Sequence, residues 1–180
     1  MKFAFIANIA GATPETYSAA FETAEAYNLI VGVDGMDAAK VYVKQLAEDG
    51  YDLINLCGDF DEEITQELRT IAGEAVEIQH ADYSANELAK LEKLESFKNY
   101  GIIIVDNTID APHEEKLEIE SCDIRAIYVN SIEMACEAGK SLVDGGIDFI
   151  ELCSWFDKEK MEAIVEATGN KVPVGTCGEL

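Results

Sequence analysis

Glu151 and Cys153 stand two residues apart, and so do Asn55 and Cys57, 96 positions earlier. In an extended backbone that spacing puts each pair on one face, because successive side chains alternate. A glutamate enclosed among strands is a general acid or base whose proton affinity burial raises. His80 follows the apolar run at 75–79 and is the expected proton carrier. Glu151 and His80 are therefore the expected catalytic residues. Cys57, Cys153, Cys177 and His80 together form a thiolate–imidazole set of the kind that holds zinc or iron. Either of the paired cysteines could instead act as a nucleophile. The same residues also have a plainer chemistry. Cysteine is a small, commonly buried side chain, and Glu151 can be bonded to Asn55, Gln79 or Tyr128 as a structural network.

Such groups need elements to hold them. Short apolar runs recur at Phe3–Ala7, Leu29–Val33, Leu53–Cys57, Ala75–Gln79, Ile102–Val105, Ala126–Val129, Phe149–Cys153 and Val172–Thr176. They read as eight buried strands separated by segments of helical periodicity, the pattern of βα units and a parallel sheet. Helix starts are expected at Thr13-Pro14-Glu15, Asp61, Ser84 and Asp157. Gly73 and Gly169 are expected to stop the helices that follow Asp61 and Asp157. Ser84–Asn99 reads as one continuous helix, and the acidic run Glu114–Glu120 as a solvated helical face. Asp52 and Asp148, at strand starts, read as turn or capping residues.

The halves repeat. Asp49–Asp61 aligns with Gly145–Asp157, and the pairs Gly50/Gly146, Asp52/Asp148, Leu56/Leu152, Cys57/Cys153 and Phe60/Phe156 are among the identities. The register extends outward through Val33/Val129 and Val76/Val172. Two such halves, 1–97 and 98–180, make a single domain over 1–180. The expected architecture is a compact (βα)8 barrel of the TIM type with its last helix missing; an open doubly wound parallel sheet is the alternative. In the barrel the strand ends converge at one mouth: Asn8, Asp34, Cys57 with Asp59, His80 with Asp82, Asp106 with Asn107 and Thr108, Asn130, Cys153 with Trp155, and Thr176 with Cys177, with His113 in the next loop region. The missing helix leaves a seam through which a homodimer is expected to form.

Gly146-Ile-Asp-Phe-Ile-Glu-Leu-Cys153 and Val172-Pro-Val-Gly175 resemble a bacterial and archaeal family known as a domain of unknown function. Its members are about one half of this chain in length and carry a similar G-x-x-x-I-E-L-C strand followed by V-P-V-G. The first half departs from the pattern, with Asn55 in place of the glutamate and Glu77-Ile-Gln79 in place of proline-valine-glycine. The resemblance implies a tandem duplication and brings no activity with it.

Composition bounds the function. Thirteen Lys and Arg stand against 36 Asp and Glu, a formal charge of −23 over 180 residues. Nucleic-acid backbones and anionic membrane surfaces both require basic patches, so neither is an expected partner. No apolar run reaches the ~20 residues that span a bilayer, and Phe3–Ala10 reads as a first strand rather than a leader. Five cysteines without a C-x-x-C pair point to a reducing cytoplasm. The expected function is a small-molecule-binding protein or enzyme with its site at the carboxyl mouth of the strands. A non-catalytic binding module and a compact scaffold without a site are the alternatives.

Overall fold

A computed structural model describes residues 1–180, in two compact units, Met1–His80 and Ala81–Leu180. The first unit runs β1 (Lys2–Asn8), β2 (Ser18–Glu22), β3 (Tyr27–Val33), α1 (Met36–Glu48), β4 (Leu53–Leu56), α2 (Glu62–Ala72) and β5 (Glu77–His80). Its sheet has the order β2-β3-β1-β4-β5, parallel except for β2 against β3. The second unit runs α3 (Ala85–Leu91), β6 (Asn99–Val105), β7 (His113–Ile119), β8 (Cys122–Val129), α4 (Ile132–Asp144), β9 (Phe149–Leu152), α5 (Lys158–Ala167) and β10 (Val174–Thr176). Its sheet has the order β10-β9-β6-β8-β7, with β7 antiparallel to β8.

The central strands β1 and β6 are apolar along nearly their whole length, as strands covered on both faces must be. Local chemistry fixes the helix ends. The Asp61 carboxylate accepts the Ile64 amide at 2.9 Å and the Asp157 carboxylate accepts the Lys160 amide at 3.0 Å, so both expected N-caps form. At the ends of α1 and α4 the amides of Tyr51 and Ile147 reach back to the carbonyls of Leu46 and Leu142. That closure needs a left-handed residue, which Gly50 (φ 77°) and Gly146 (φ 83°) supply. Asp52 and Asp148 then pin the central strands: their carboxylates accept the backbone amides of Lys2 (2.7 Å) and Asn99 (2.8 Å).

Several expectations need correction. The strands do not close into one eight-membered barrel. They form two open five-stranded sheets, and β1 lies in the interior of its own sheet, so no seam separates a first strand from a last one. Thr13-Pro14 starts a single turn, not a helix: the amides of Thr16 and Tyr17 both reach the Thr13 carbonyl, and the chain then enters β2. Glu114–Glu120 belongs largely to β7. Its composition favours a helix, but His113, Glu115, Leu117 and Ile119 are half-buried on one face while the residues between them are exposed, and Glu114 pairs with Arg125 on β8. Tertiary pairing outweighs propensity there. The helix expected over Ser84–Asn99 stops at Leu91. Ser96 is tied to Asp148, and Phe97 packs edge-on against Phe149 with centroids 5.6 Å apart, which draws the chain into β6.

Candidate functional site

Glu151 lies in β9 and is 2% exposed. In the ladder it stands beside Ile102 of β6 and Gly175 of β10. Gly101 and Ile150, one residue away on their strands, face α4: a Cβ at Gly101 would lie 3.1 Å from Leu142 and 3.3 Å from Ile150. Glu151 and Gly175 therefore occupy the opposite face of the sheet. Two phenols meet the carboxylate there. The Tyr83 hydroxyl donates to Oε1 at 2.7 Å, and the Tyr100 hydroxyl donates to Oε2. Tyr100 is 1% exposed and stacks on Phe149, with centroids 4.4 Å apart. Tyr83 is half-buried and comes from the segment before α3. Two hydrogen bonds to the charged form offset part of what it costs to bury a carboxylate.

The first unit builds the same place from other residues. Asn55, fully buried, replaces Glu151; Phe3 replaces Tyr100; and Gln79, paired with Asn55 in the ladder, replaces Gly175. The Gln79 amide donates to Glu77 at 2.9 Å, while its buried oxygen has no hydrogen-bond partner. His80 lies at the end of β5, with Nδ1 3.0 Å from the buried Thr65 hydroxyl on α2. Glu151 thus belongs to the second unit and His80 to the first.

The paired cysteines do matching work in the two sheets. The Cys57 amide donates to the Ile6 carbonyl at 3.0 Å, and its sulfur accepts the Asn8 amide at 3.2 Å. The Cys153 amide donates to Ile103 at 3.1 Å, and its sulfur accepts the Val105 amide at 3.3 Å. Each thiol continues a ladder past the end of a short strand. Burial pushes the Cys153 thiol up, although the amides of Val105 and Trp155 oppose that shift. Cys177 is buried and donates its amide to Leu152. None of the five cysteines forms a disulfide. No group of three or more His, Cys, Asp or Glu side chains is placed to hold a metal ion; of the expected ligand set, Cys57 and His80 lie in the first unit and Cys153 and Cys177 in the second.

A second polar group sits beyond the ends of β6 and β8. Asp106 is 5% exposed and accepts the Thr108 amide and hydroxyl. The His113 ring lies 5.9 Å from that of Tyr128, and its Nε2 is 2.7 Å from Glu115. Burial, with Glu115 and Asp106 nearby, pushes the Tyr128 hydroxyl up. In the first unit Gly32 stands at the place of Tyr128, and Tyr17 packs so closely on it that a Cβ would lie 2.5 Å from the ring.

Sequence reasoning singles out Glu151 and misses the two phenols bonded to it. Tyr100 matches Phe3 at an offset of 97, because Phe3 pairs with Leu53 and Tyr100 with Phe149, whereas Leu53 and Phe149 differ by 96. The one-residue slip hides the correspondence. Tyr83 directly follows Asp82, which the strand pattern places at a strand end, but nothing in the spacing singles out the tyrosine itself. A residue that pairs with Gly175 only in space leaves no trace in spacing.

A family described as "Family of unknown function (DUF6506)" matches residues 1–96 and again residues 98–178. No curated protein matches the chain. Among solved structures, unliganded arylmalonate decarboxylase is similar at 13% identity over 98% of this chain and 87% of that one, with a TM-score of 0.32. The TorS sensor domain–TorT complex without ligand is similar at 11% identity over 97% and 72%, with a TM-score of 0.33. No helix of the chain is long and apolar enough to cross a membrane.

Proposed function

The chain belongs to the DUF6506 family, and from that premise we propose that its second unit binds a small organic molecule through the Glu151 carboxylate. The first unit is then a scaffold repeat of the same fold. One observation carries the reading: where the first repeat uses Asn55 beside Phe3, the second keeps an acid at 2% exposure and furnishes two phenols to hold it. Burying a carboxylate costs several kcal/mol before its partners are counted. An amide does the structural work of that position in the first repeat without this cost. A buried acid with hydroxyl donors is suited to receive a hydrogen bond, or a proton, from a ligand. His80, tied to Thr65, is left to the scaffold.

The same two hydroxyls favour one competing reading, in which Glu151 is a structural tie and the chain is a compact scaffold. Thermal stability against a broad metabolite set separates the two. A ligand stabilises the folded state by mass action, about 2.7 kcal/mol at a hundred times its Kd. Under the proposal at least one compound raises the melting temperature of the wild type and fails to raise that of Glu151→Gln. If no compound shifts the wild type, the scaffold reading replaces it; if Glu151→Gln retains the shift, Glu151 is a structural tie and the proposal fails.

A further inference from the structure

We infer that Tyr83 occupies the ligand slot as an internal stand-in, and that the slot takes a planar ring carrying a hydroxyl. The inference rests on the reading of Glu151 as a ligand group and names the class of that ligand.

The floor of the slot is Gly175. A Cβ there would lie 2.6 Å from Tyr83 Cζ and 2.8 and 2.9 Å from its two Cε atoms, so the ring lies flat against bare backbone. Any other residue would fill the space, as Gln79 does at the corresponding position of the first unit. The stacked pair of Tyr100 and Phe149 lies on the same sheet face. The ring's hydroxyl donates to the Glu151 carboxylate at 2.7 Å. Flat floor, aromatic neighbours and a terminal acceptor together describe a site for a hydroxylated ring.

Tyr83 is also the outermost of the three groups. It is half-buried, whereas Tyr100 and Glu151 are 1% and 2% exposed. Its segment is tied to the edge strand β10 and to the residues around it. Asp82 and Thr176 exchange two backbone hydrogen bonds at 2.9 Å, and further on Glu87 accepts the Val174 amide at 2.9 Å. The helix that carries Glu87 is seven residues long and its N-cap Ser84 makes no side-chain capping hydrogen bond; Lys90 near its end donates to Asn170 at 2.7 Å and to the Val172 carbonyl at 3.1 Å, and a cavity of about 520 Å³ lies between the helix and α5. A short, partly exposed segment at the edge of a sheet opens locally at lower cost than the sheet's buried core. When it lifts, its phenol leaves an acceptor and a floor of its own shape.

The test removes the stand-in and offers small rings in solution. In Tyr83→Ala, p-cresol is expected to bind and raise the melting temperature, and to bind at least about tenfold tighter than toluene, the ratio one hydrogen bond to a charged acceptor sustains. That preference should fall toward unity in Tyr83→Ala/Glu151→Gln. In the wild type, p-cresol near saturation should speed amide exchange over Asp82–Leu91 as it displaces Tyr83. Equal affinity for toluene and p-cresol, or no binding by the variant, overturns the inference. So does a wild-type segment whose exchange p-cresol leaves unchanged, because the slot is then permanently filled. If Tyr83→Ala does not fold, Tyr83→Phe, which keeps the ring and loses the hydroxyl, takes its place. Its segment should exchange faster than wild type, and exchange at the wild-type rate overturns the inference. A Glu151-dependent metabolite found without any preference for hydroxylated rings would leave the proposed function standing and remove only this step.

Discussion

In the first unit Phe3, Asn55 and Gln79 fill the positions that Tyr100, Glu151 and Gly175 hold in the second. The first set is closed: each position is filled by a side chain of the sheet itself. The second set is short by one side chain, and Tyr83 from outside the sheet makes up the difference. The edge strands differ in the same sense. In β5 the outward carbonyl of Ile78 is met by Arg69 of α2, within the unit's own βα pair. In β10 the outward groups of Val174 and Thr176 are met by Glu87 and Asp82, which precede β6 in the chain. Repeats of similar sequence thus diverge where one of them acquires a neighbour.

The most severe test imports the acid into the first unit. Asn55→Asp places a charge beside Phe3, which has no hydroxyl to offer, and stability should fall by about 3 kcal/mol or more in urea titration. A loss below 1 kcal/mol would mean that the first unit accommodates a carboxylate as readily as the second, and the comparison would lose its force. Next in size, Gly175→Ala drives a methyl group into the Tyr83 ring and should cost about 1–3 kcal/mol, with faster amide exchange over Asp82–Leu91. Normal protection of that segment would show that the ring does not depend on the glycine floor.

Much of this was readable from residues alone. The strand runs, the caps at Asp61 and Asp157, and the place of Glu151 within a buried strand follow from hydrophobic patterning and capping chemistry. What spacing does not encode is which strands become neighbours. Eight similar runs fit a ring and two open sheets alike, and the choice lies in pairings such as β1 between β3 and β4. Strands β2 and β7 were hidden because alanine, glutamate and lysine favour helices when no partner strand is considered. Of the candidate site, the acid was visible and its tyrosines were not, since one is displaced by a single residue in register and the other acts through space.

Two smaller effects sharpen the likeness between the units. Cys57→Ala and Cys153→Ala each remove the acceptor for one strand-end amide and should each cost about 1–2 kcal/mol. Strongly unequal losses would argue that one thiol has a further role. Smallest is the pH response of the Asp157 cap. The Lys160 ammonium, hydrogen-bonded to Asp157, together with the Lys160 amide, holds the Asp157 carboxyl below the ordinary aspartate range. A lowered native value contributes stability above the unfolded-state value, and that contribution is lost as pH falls through the lowered one. Lys160→Met should therefore be slightly less stable than wild type at neutral pH, with the gap closing in acid when followed by circular dichroism. A gap that widens as pH falls would reverse the assignment.

The duplication and the compact units are out of phase: the family match changes over between residues 96 and 98, whereas the units divide between 80 and 81. A gene cut at the homology boundary would therefore yield a downstream fragment stripped of Asp82, Tyr83 and Glu87, with the rim of β10 bare and Glu151 short of one donor. Moving the scissors sixteen codons upstream keeps those groups with the sheet they serve, so the subcloning junction belongs after His80.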